Sequence, residues 1–322
     1  LSHLGAGCLL ALVLLPVAGD GGMPLAAAAL GLLALASFAR HDGGRTWLVI
    51  GACLAALVCG GAATQPPQLF SVQLSPYKTL SVVTAFQDSR QVLSRWNAFS
   101  RVDVVEGPAI RAAPGLSLAF RGQAPNQPGV TVDGDSLRTI PTAAVSAPES
   151  AYADYLPAAA PLRLRPAARV LVLQAGTGQD VLTAWRSGAQ SVTAVEANPL
   201  VIEAARAMGA DIYGDQTRVV MDNGRAYLAQ TDERFDVIIV ALAESYRAVT
   251  SGDFSLSESY IYTVEAFMSY YEHLAPGGLL VVTRWAQSPP SEDVRVAALA
   301  AAALRRVGQR QPERCVAAFR SP

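Results

Sequence analysis

The stretch Val170-Leu171-Val172-Leu173-Gln174-Ala175-Gly176-Thr177-Gly178-Gln179-Asp180 decides how the second half of the chain folds. Four apolar residues in a row, bounded by polar and glycine positions, read as a strand buried on both faces. A Gly176-x-Gly178 turn follows, and then a helical run through Trp185. Without Cβ atoms, the backbone of such a turn can come close to a ligand. The alternation then repeats. Ser191–Val195 is a second strand ending at Glu196, with a helix from Pro199 to Met208. Arg218–Met221 is a third, ending at Asp222-Asn223-Gly224, and Phe235–Val240 is a fourth, before an irregular loop from Ala241 to Ser257. A helix from Tyr262 to Leu274 precedes a fifth strand at Leu279–Thr283. Ser291 to Val307 is an amphipathic helix, and Cys315–Phe319 has the pattern of a sixth strand. Strands alternating with helices predict a parallel sheet covered on both faces.

Upstream the composition is different. The whole chain is 51% hydrophobic and 16% charged, against roughly 25% charged in soluble proteins. The apolar excess lies between Leu1 and Ala63, where Asp20, Arg40, Asp42 and Arg45 are the only charged residues. Three apolar runs, Leu4–Ala18, Met23–Ala39 and Trp47–Ala63, predict three transmembrane helices in residues 1–63. Gly-Asp-Gly-Gly at 19–22 and His-Asp-Gly-Gly at 41–44 read as the turns between them. Residues 64–146 carry short β-rich runs (Leu80–Phe86, Phe99–Val105, Val130–Val132) broken by turn signals, which predicts a small β domain of five or six strands. A Pro- and Ala-rich stretch, 147–166, opens the α/β domain of residues 147–322. The chain lacks an initiator Met and stops just after the sixth strand, so a piece of a longer membrane protein is expected, truncated at its C-terminus.

A formal net charge of −1 excludes a basic nucleic-acid-binding surface as the main role. Cys8, Cys53, Cys59 and Cys315, with His3, His41 and His273, have no metal-ligand spacing, so no metal is expected. The chemistry gathers at the carboxyl ends of the strands, where doubly wound sheets bind ligands. Gly176 and Gly178 provide the close approach. Glu196 is placed to accept both ribose hydroxyls, and Asp222, with Asn223 beside it, to accept from an adenine amino group. Together, in this order, they point to a nucleoside site. A dinucleotide pattern would need glycine at 181, where the chain has Val181.

From about Leu74 to Trp285 the chain resembles the spermidine synthase family of aminopropyltransferases, especially its membrane-fused bacterial branch. The resemblance is carried by Ser75-Pro76-Tyr77-Lys78, Val132-Asp133-Gly134, Val170 to Asp180, Val195-Glu196-Ala197-Asn198, Asp222-Asn223-Gly224 and the run Leu256 to Phe267. It implies a Rossmann-like, methyltransferase-type sheet preceded by a small β domain. It also implies binding of decarboxylated S-adenosylmethionine, or of S-adenosylmethionine itself, as co-substrate. Glu196 would then hold the ribose, Asp222 the adenine, and a small-molecule amine would be the acceptor. Tyr77 and Asp133 would face the same crevice.

The chain departs from the family where the chemistry is done. The first of two aspartates expected after the fourth strand is Ala241, and the second is Glu244. A methyl group cannot accept a proton. The amine-binding acid of the family's glycine loop is missing from Gln174 to Gly178, and Asp180 is its candidate substitute. The expected His-Glu pair is replaced within Ala153 to Ala159. Glu244, Ser245, Tyr246, Glu258, Tyr260 and Tyr262 lie on the loop that covers the site, and Glu244, Tyr260 and Tyr77 are the candidate catalytic residues. Arg284 and Trp285 read as structural. The expected function is a membrane-anchored transferase with an S-adenosyl sulfonium donor, or else a catalytically degenerate subunit of a membrane complex. A transporter would need polar residues inside the helices, and these three runs have no charged residue and only Ser37 as a polar side chain. The lipid bilayer, membrane-protein partners and self-association are the partners implied. Arg40 and Arg45 favour a cytoplasmic loop under the positive-inside rule. The cytoplasmic synthesis of S-adenosyl compounds favours a cytoplasmic catalytic domain instead, and a multi-pass inner-membrane protein with that orientation is expected.

Overall fold

In the computed structural model, residues 2–41, 46–66, 73–98, 100–242, 260–285, 290 and 292–320 are described. Two N-terminal helices, α1 (Ser2–His41) and α2 (Thr46–Thr64), precede a short helix α3 (Thr79–Thr84) and four strands: β1 (Arg90–Trp96), β2 (Arg101–Glu106), β3 (Gly129–Val132) and β4 (Asp135–Thr139). The strands pair antiparallel in sequence order. After a 3-10 segment, Pro148–Tyr155, and a short helix α4 (Ala159–Arg163), the α/β alternation begins. It runs β5 (Arg169–Leu173), α5 (Gln179–Arg186), β6 (Ser191–Glu196), α6 (Pro199–Ala207), β7 (Thr217–Met221), α7 (Gly224–Gln230), β8 (Phe235–Val240), α8 (Val264–Glu272), β9 (Leu274–Val282) and α9 (Glu292–Arg306). The five strands form one parallel sheet in the order β7-β6-β5-β8-β9. The fold is α/β and Rossmann-like, preceded by a small antiparallel sheet and two apolar helices.

The strands are buried on both faces, as their unbroken apolar runs require. Val170, Val172, Val192, Ala194, Val237 and Ile239 face one way, toward α5 and α6. Leu171, Leu173, Val195, Ile238 and Val240 face the other, toward α7, α8 and α9. Val102, Val104, Val130 and Ile140 of the small sheet belong to the first of these cores. The two sheets therefore share apolar packing, which fixes the small sheet over the carboxyl edge of the large one.

Several expectations are corrected. Among the described residues the small sheet has four strands rather than five or six. Leu80–Phe86 is not a strand: its β-branched run is helix α3, because Leu80 and Val83, three apart, pack together against Val105 and Ile110. Residues 316–319 are not a strand either, and a 3-10 turn at Pro312–Arg314 precedes them. The turn expected at 19–22 is a kink inside α1, where Gly19 takes φ 62°, ψ −171°, a conformation open essentially to glycine alone. Two stretches among the described residues, Val13–His41 and Thr46–Thr64, are long and apolar enough to cross a membrane.

The kink docks the apolar helices on the small sheet. Gly19 lies against the Trp96 indole, and Asp20 is 3.8 Å from Arg101 Nη1. Arg101 Nε donates to Asp103 at 2.9 Å, and its guanidinium lies 5.9 Å from the Trp96 ring centroid. Asp103 is fully buried; burial pushes its carboxyl up, and hydrogen bonds from Ser94 and Arg101 oppose that.

A second ion pair ties the 3-10 segment to the α/β domain. Arg186, ending α5, donates from Nε to Asp154 Oδ1 at 2.9 Å and from Nη2 to Oδ2 at 2.6 Å, and Nη1 reaches the Val145 carbonyl at 2.6 Å. Arg186→Ala leaves the part-buried carboxylate unpaired and should lower stability by about 2–3 kcal/mol in urea unfolding. Arg186→Lys should recover less than half of that, because an ammonium cannot reproduce the two-pronged geometry.

Candidate functional site

The turn after β5 is built on left-handed backbone. Gln174 (φ 57°), Gly176 (φ 56°) and Gly178 (φ 99°) all have positive φ. A Cβ on Gly178 would overlap Ile212 and press on the Tyr213 ring, so no side chain fits there. The Tyr213 hydroxyl donates to the carbonyl of Gly176 at 2.8 Å and of Ala175 at 3.2 Å, and Ala175 N donates to Val195 O at 3.1 Å. Burial, with Glu196 and Asp180 nearby, pushes the Tyr213 phenol well above its ordinary value, so it acts as a neutral donor.

Glu196 ends β6 beside this turn. Oε2 accepts from Gly176 N at 2.9 Å, and Oε1 accepts from Asn198 N at 2.9 Å. Each oxygen keeps a further lone pair for a ligand donor. On the next strand end, Asp222 N donates to Glu196 O at 3.1 Å, and Asp222 Oδ1 accepts from Asn223 N at 2.7 Å. Asn223 caps α7 by accepting from Arg225 N at 3.0 Å, so its side-chain oxygen serves the helix.

On the other side of the turn lies a cavity of about 240 Å³ between the two sheets. Its walls include Thr79, Asp135 and Arg138 from the small sheet region, Gln174, Ala175, Thr177, Gln179 and Asp180 from the turn, and Ala241 and Trp285 from just past the ends of β8 and β9. Arg138 lies over the turn: a Cβ on Gly176 would be 2.6 Å from its Nη1. Burial lowers the Arg138 pKa, while Glu196, Asp180, Tyr213 and Tyr262 push it back up. Asp180 is pushed up to about 6 by burial, opposed by the Arg138 charge. Asp135 is answered locally, accepting from Thr79 Oγ1 at 2.7 Å with Lys78 Nζ at 3.8 Å.

The sequence-predicted residues divide. Gly176, Gly178, Asp180 and Glu196 are gathered around one turn, with Asp222 and Asn223 at the adjacent strand end. Tyr77 is 93% exposed and does not line the cavity; Thr79, two residues on, does. Asp133 holds the β3–β4 turn, its Oδ1 accepting from Arg101 N at 2.9 Å. Tyr260 is also exposed, and its carbonyl accepts from Arg225. Glu244, with Ser245, Tyr246 and Glu258, lies outside the described residues. Arg284 stacks 4.3 Å from the Tyr262 ring centroid and pairs with Glu292 at 3.0 Å, a structural role, whereas Trp285 reaches the cavity wall. Arg138, Asp135 and Tyr213 were missed. Only a lone arginine in a short strand marked Arg138, and nothing local marked the others.

No protein-family model matches the chain, and no curated protein does. Among solved structures it is similar to a spermidine synthase in complex with the transition-state analogue AdoDATO, at 20% identity over 67% of this chain and 63% of that one, with a TM-score of 0.44. It is similar to spermidine synthase from Thermotoga maritima at 20% identity over 68% of this chain and 64% of that one, also with a TM-score of 0.44. The chain thus spans less than two thirds of the length of either.

Asp180 also bears on stability. Because its folded-state pKa is raised to about 6, the native state holds the proton more tightly than the unfolded chain does. Its contribution therefore worsens as pH rises from about 4 to about 6 and stays unfavourable above that. Asp180→Asn should stabilise the protein at pH 7 by up to roughly 3 kcal/mol, with the advantage gone below about pH 4, in denaturant melts across that range.

Proposed function

We propose that the chain is a membrane-anchored transferase that binds an S-adenosyl sulfonium donor and transfers a carbon group to an amine. The observation that carries this reading is Glu196: a strand-end carboxylate oriented by two backbone amides, beside a left-handed glycine turn and next to Asp222. That set supplies acceptors suited to the ribose hydroxyls and the adenine amino group of a nucleoside. The donor supplies an electrophilic carbon beside a positively charged sulfur. The amine nitrogen forms the new C–N bond as the C–S bond breaks, the electron pair stays on sulfur, and the amine proton must go to a base.

Ala241 cannot be that base. Asp180, on the cavity wall with a pKa of about 6, can accept a proton at neutral pH. Glu244, in the segment after Leu242, is the second candidate. Membrane anchoring is supported by how α1 and α2 pack. Ala26, Ala29, Ala52 and Ala56 are buried, while Leu30, Leu33, Phe38, Leu54 and Leu57 face outward, the pattern expected in lipid. Gly22 approaches Ala63 so closely that a Cβ would overlap its carbonyl. We assign residues 1–63 to the inner membrane and the α/β domain to the cytoplasmic side, where S-adenosyl compounds are made. A degenerate subunit is the second reading, favoured by the Ala241 methyl at the cavity wall.

Calorimetric titration of the detergent-purified chain with S-adenosylmethionine, its decarboxylated form and methylthioadenosine tests the nucleoside site. Saturable binding is expected, weakened about 100-fold by Glu196→Ala and about 10-fold by Asp222→Ala. No binding of any of the three to folded protein overturns the reading. If ligand binds, turnover with amine acceptors separates transferase from degenerate subunit. The transferase rate should rise with pH through about 6 and fall at least about 100-fold in Asp180→Asn, which retains donor binding.

A further inference from the structure

We propose that Arg138 makes this a site for a donor that keeps its α-carboxylate, S-adenosylmethionine rather than the decarboxylated form, with the guanidinium pairing that carboxylate. The inference rests on the nucleoside reading above and extends it from the ribose to the far end of the donor. The contacts give a direction along the carboxyl edge of the sheet. Asp222 is hydrogen-bonded to the Glu196 backbone, Glu196 to Gly176, and Arg138 lies directly over Gly176 with the cavity beyond. A nucleoside held by Asp222 and Glu196 therefore sends its 5′ substituent past Gly176 and alongside the Arg138 guanidinium toward the cavity.

Arg138 is available for such a ligand. Among the described residues no acceptor takes a hydrogen bond from its side chain, and no carboxylate lies within ion-pair distance, although Glu196 and Asp180 are close enough to feel its charge. An arginine partly buried in a wall without a partner carries a desolvation cost unless something answers it. Its planar fork suits a carboxylate in particular. The cavity, at about 240 Å³, is smaller than the roughly 300 Å³ at which small-molecule pockets begin, the scale of a side arm rather than of a whole nucleoside. The cavity wall carries both signs, Arg138 beside Asp180 and Asp135, with Lys78 behind Asp135 outside the lining. A wall of both signs offers partners to the ammonium and to the carboxylate of an amino-acid end, whereas a purely cationic aminopropyl arm would leave the arginine unanswered.

The test compares three ligands on the full chain: S-adenosylmethionine, its decarboxylated form, and methylthioadenosine, which has neither ammonium nor carboxylate. Wild type should bind S-adenosylmethionine at least about 30-fold more tightly than the decarboxylated form. Arg138→Met should shrink that preference to within about 3-fold and leave methylthioadenosine affinity unchanged, which also shows that the variant is folded. Arg138→Lys should restore part of the preference. Equal binding of the two sulfonium compounds by wild type, or preference for the decarboxylated one, overturns the inference while the nucleoside reading stands, and neither result depends on a variant folding. An unchanged preference in Arg138→Met overturns it as well. Failure of all three ligands to bind folded wild type removes the nucleoside reading itself.

Discussion

The turn from Gln174 to Gly178 is the constraint on which the rest of the site depends. Three of its five residues have left-handed backbone, and one of them, Gln174, is not a glycine. Such conformations persist only where the surroundings over-determine them. Here the Tyr213 hydroxyl holds the carbonyls, Val195 holds the Ala175 amide, and the Gly176 amide is spent on Glu196. The tightness against Ile212 and Tyr213 removes any side chain at 178. The result is a rigid shelf that presents the Gly176 amide to one carboxylate and lets one guanidinium lie on top.

The small sheet contributes as much to this shelf as the large one. Arg138 and Asp135 come from β4, whose neighbours share a core with β5 and β6. The latch between Arg186 and Asp154 fixes the segment that leads to Leu156 and Pro157, two more wall residues. The two apolar N-terminal helices reach the same sheet through Asp20 and Arg101. Asp20 is the only charge between Leu1 and Ala39, and its place at the glycine kink gives that charge a partner at the end of the helical hairpin. Helical hairpin, small sheet and cavity are thus joined by a chain of contacts.

Local pattern carried most of the α/β half. The strand β8 lies at 235–240 as its apolar run requires, and β5, β6 and β7 differ from their sequence signals by one residue at one end. Gly176, Glu196 and Asp222 were legible because strand-end positions follow from the alternation itself. What sequence could not show were contacts set by distant partners. Helix α3 has the composition of a strand, and its packing on Ile110 decides otherwise. The glycines at 19–22 marked the helix break at Gly19, but not that Asp20 there meets Arg101, far along the chain. Arg138 shows in the sequence only as a lone arginine in a short strand, since its meaning comes from lying over a glycine in the turn after β5. Tyr77, carried over from a family pattern, is out in solvent, and the wall position beside it belongs to Thr79.

Arg138 also changes how the missing acid at 241 should be weighed. An amine attacks only in its neutral form, and an aspartate beside it both holds it and raises its pKa. A nearby positive charge does the reverse, favouring the neutral amine. Charges a few ångströms apart in a partly buried site interact more strongly than in water. A methyl at 241 and an arginine over the turn both act in that direction until a donor carboxylate answers the arginine. Under the proposed function, Asp180 is then the wall acid that takes the amine proton as the C–N bond forms. The alanine at 241 is by itself not a sign of a dead site, because acids remain on the same wall.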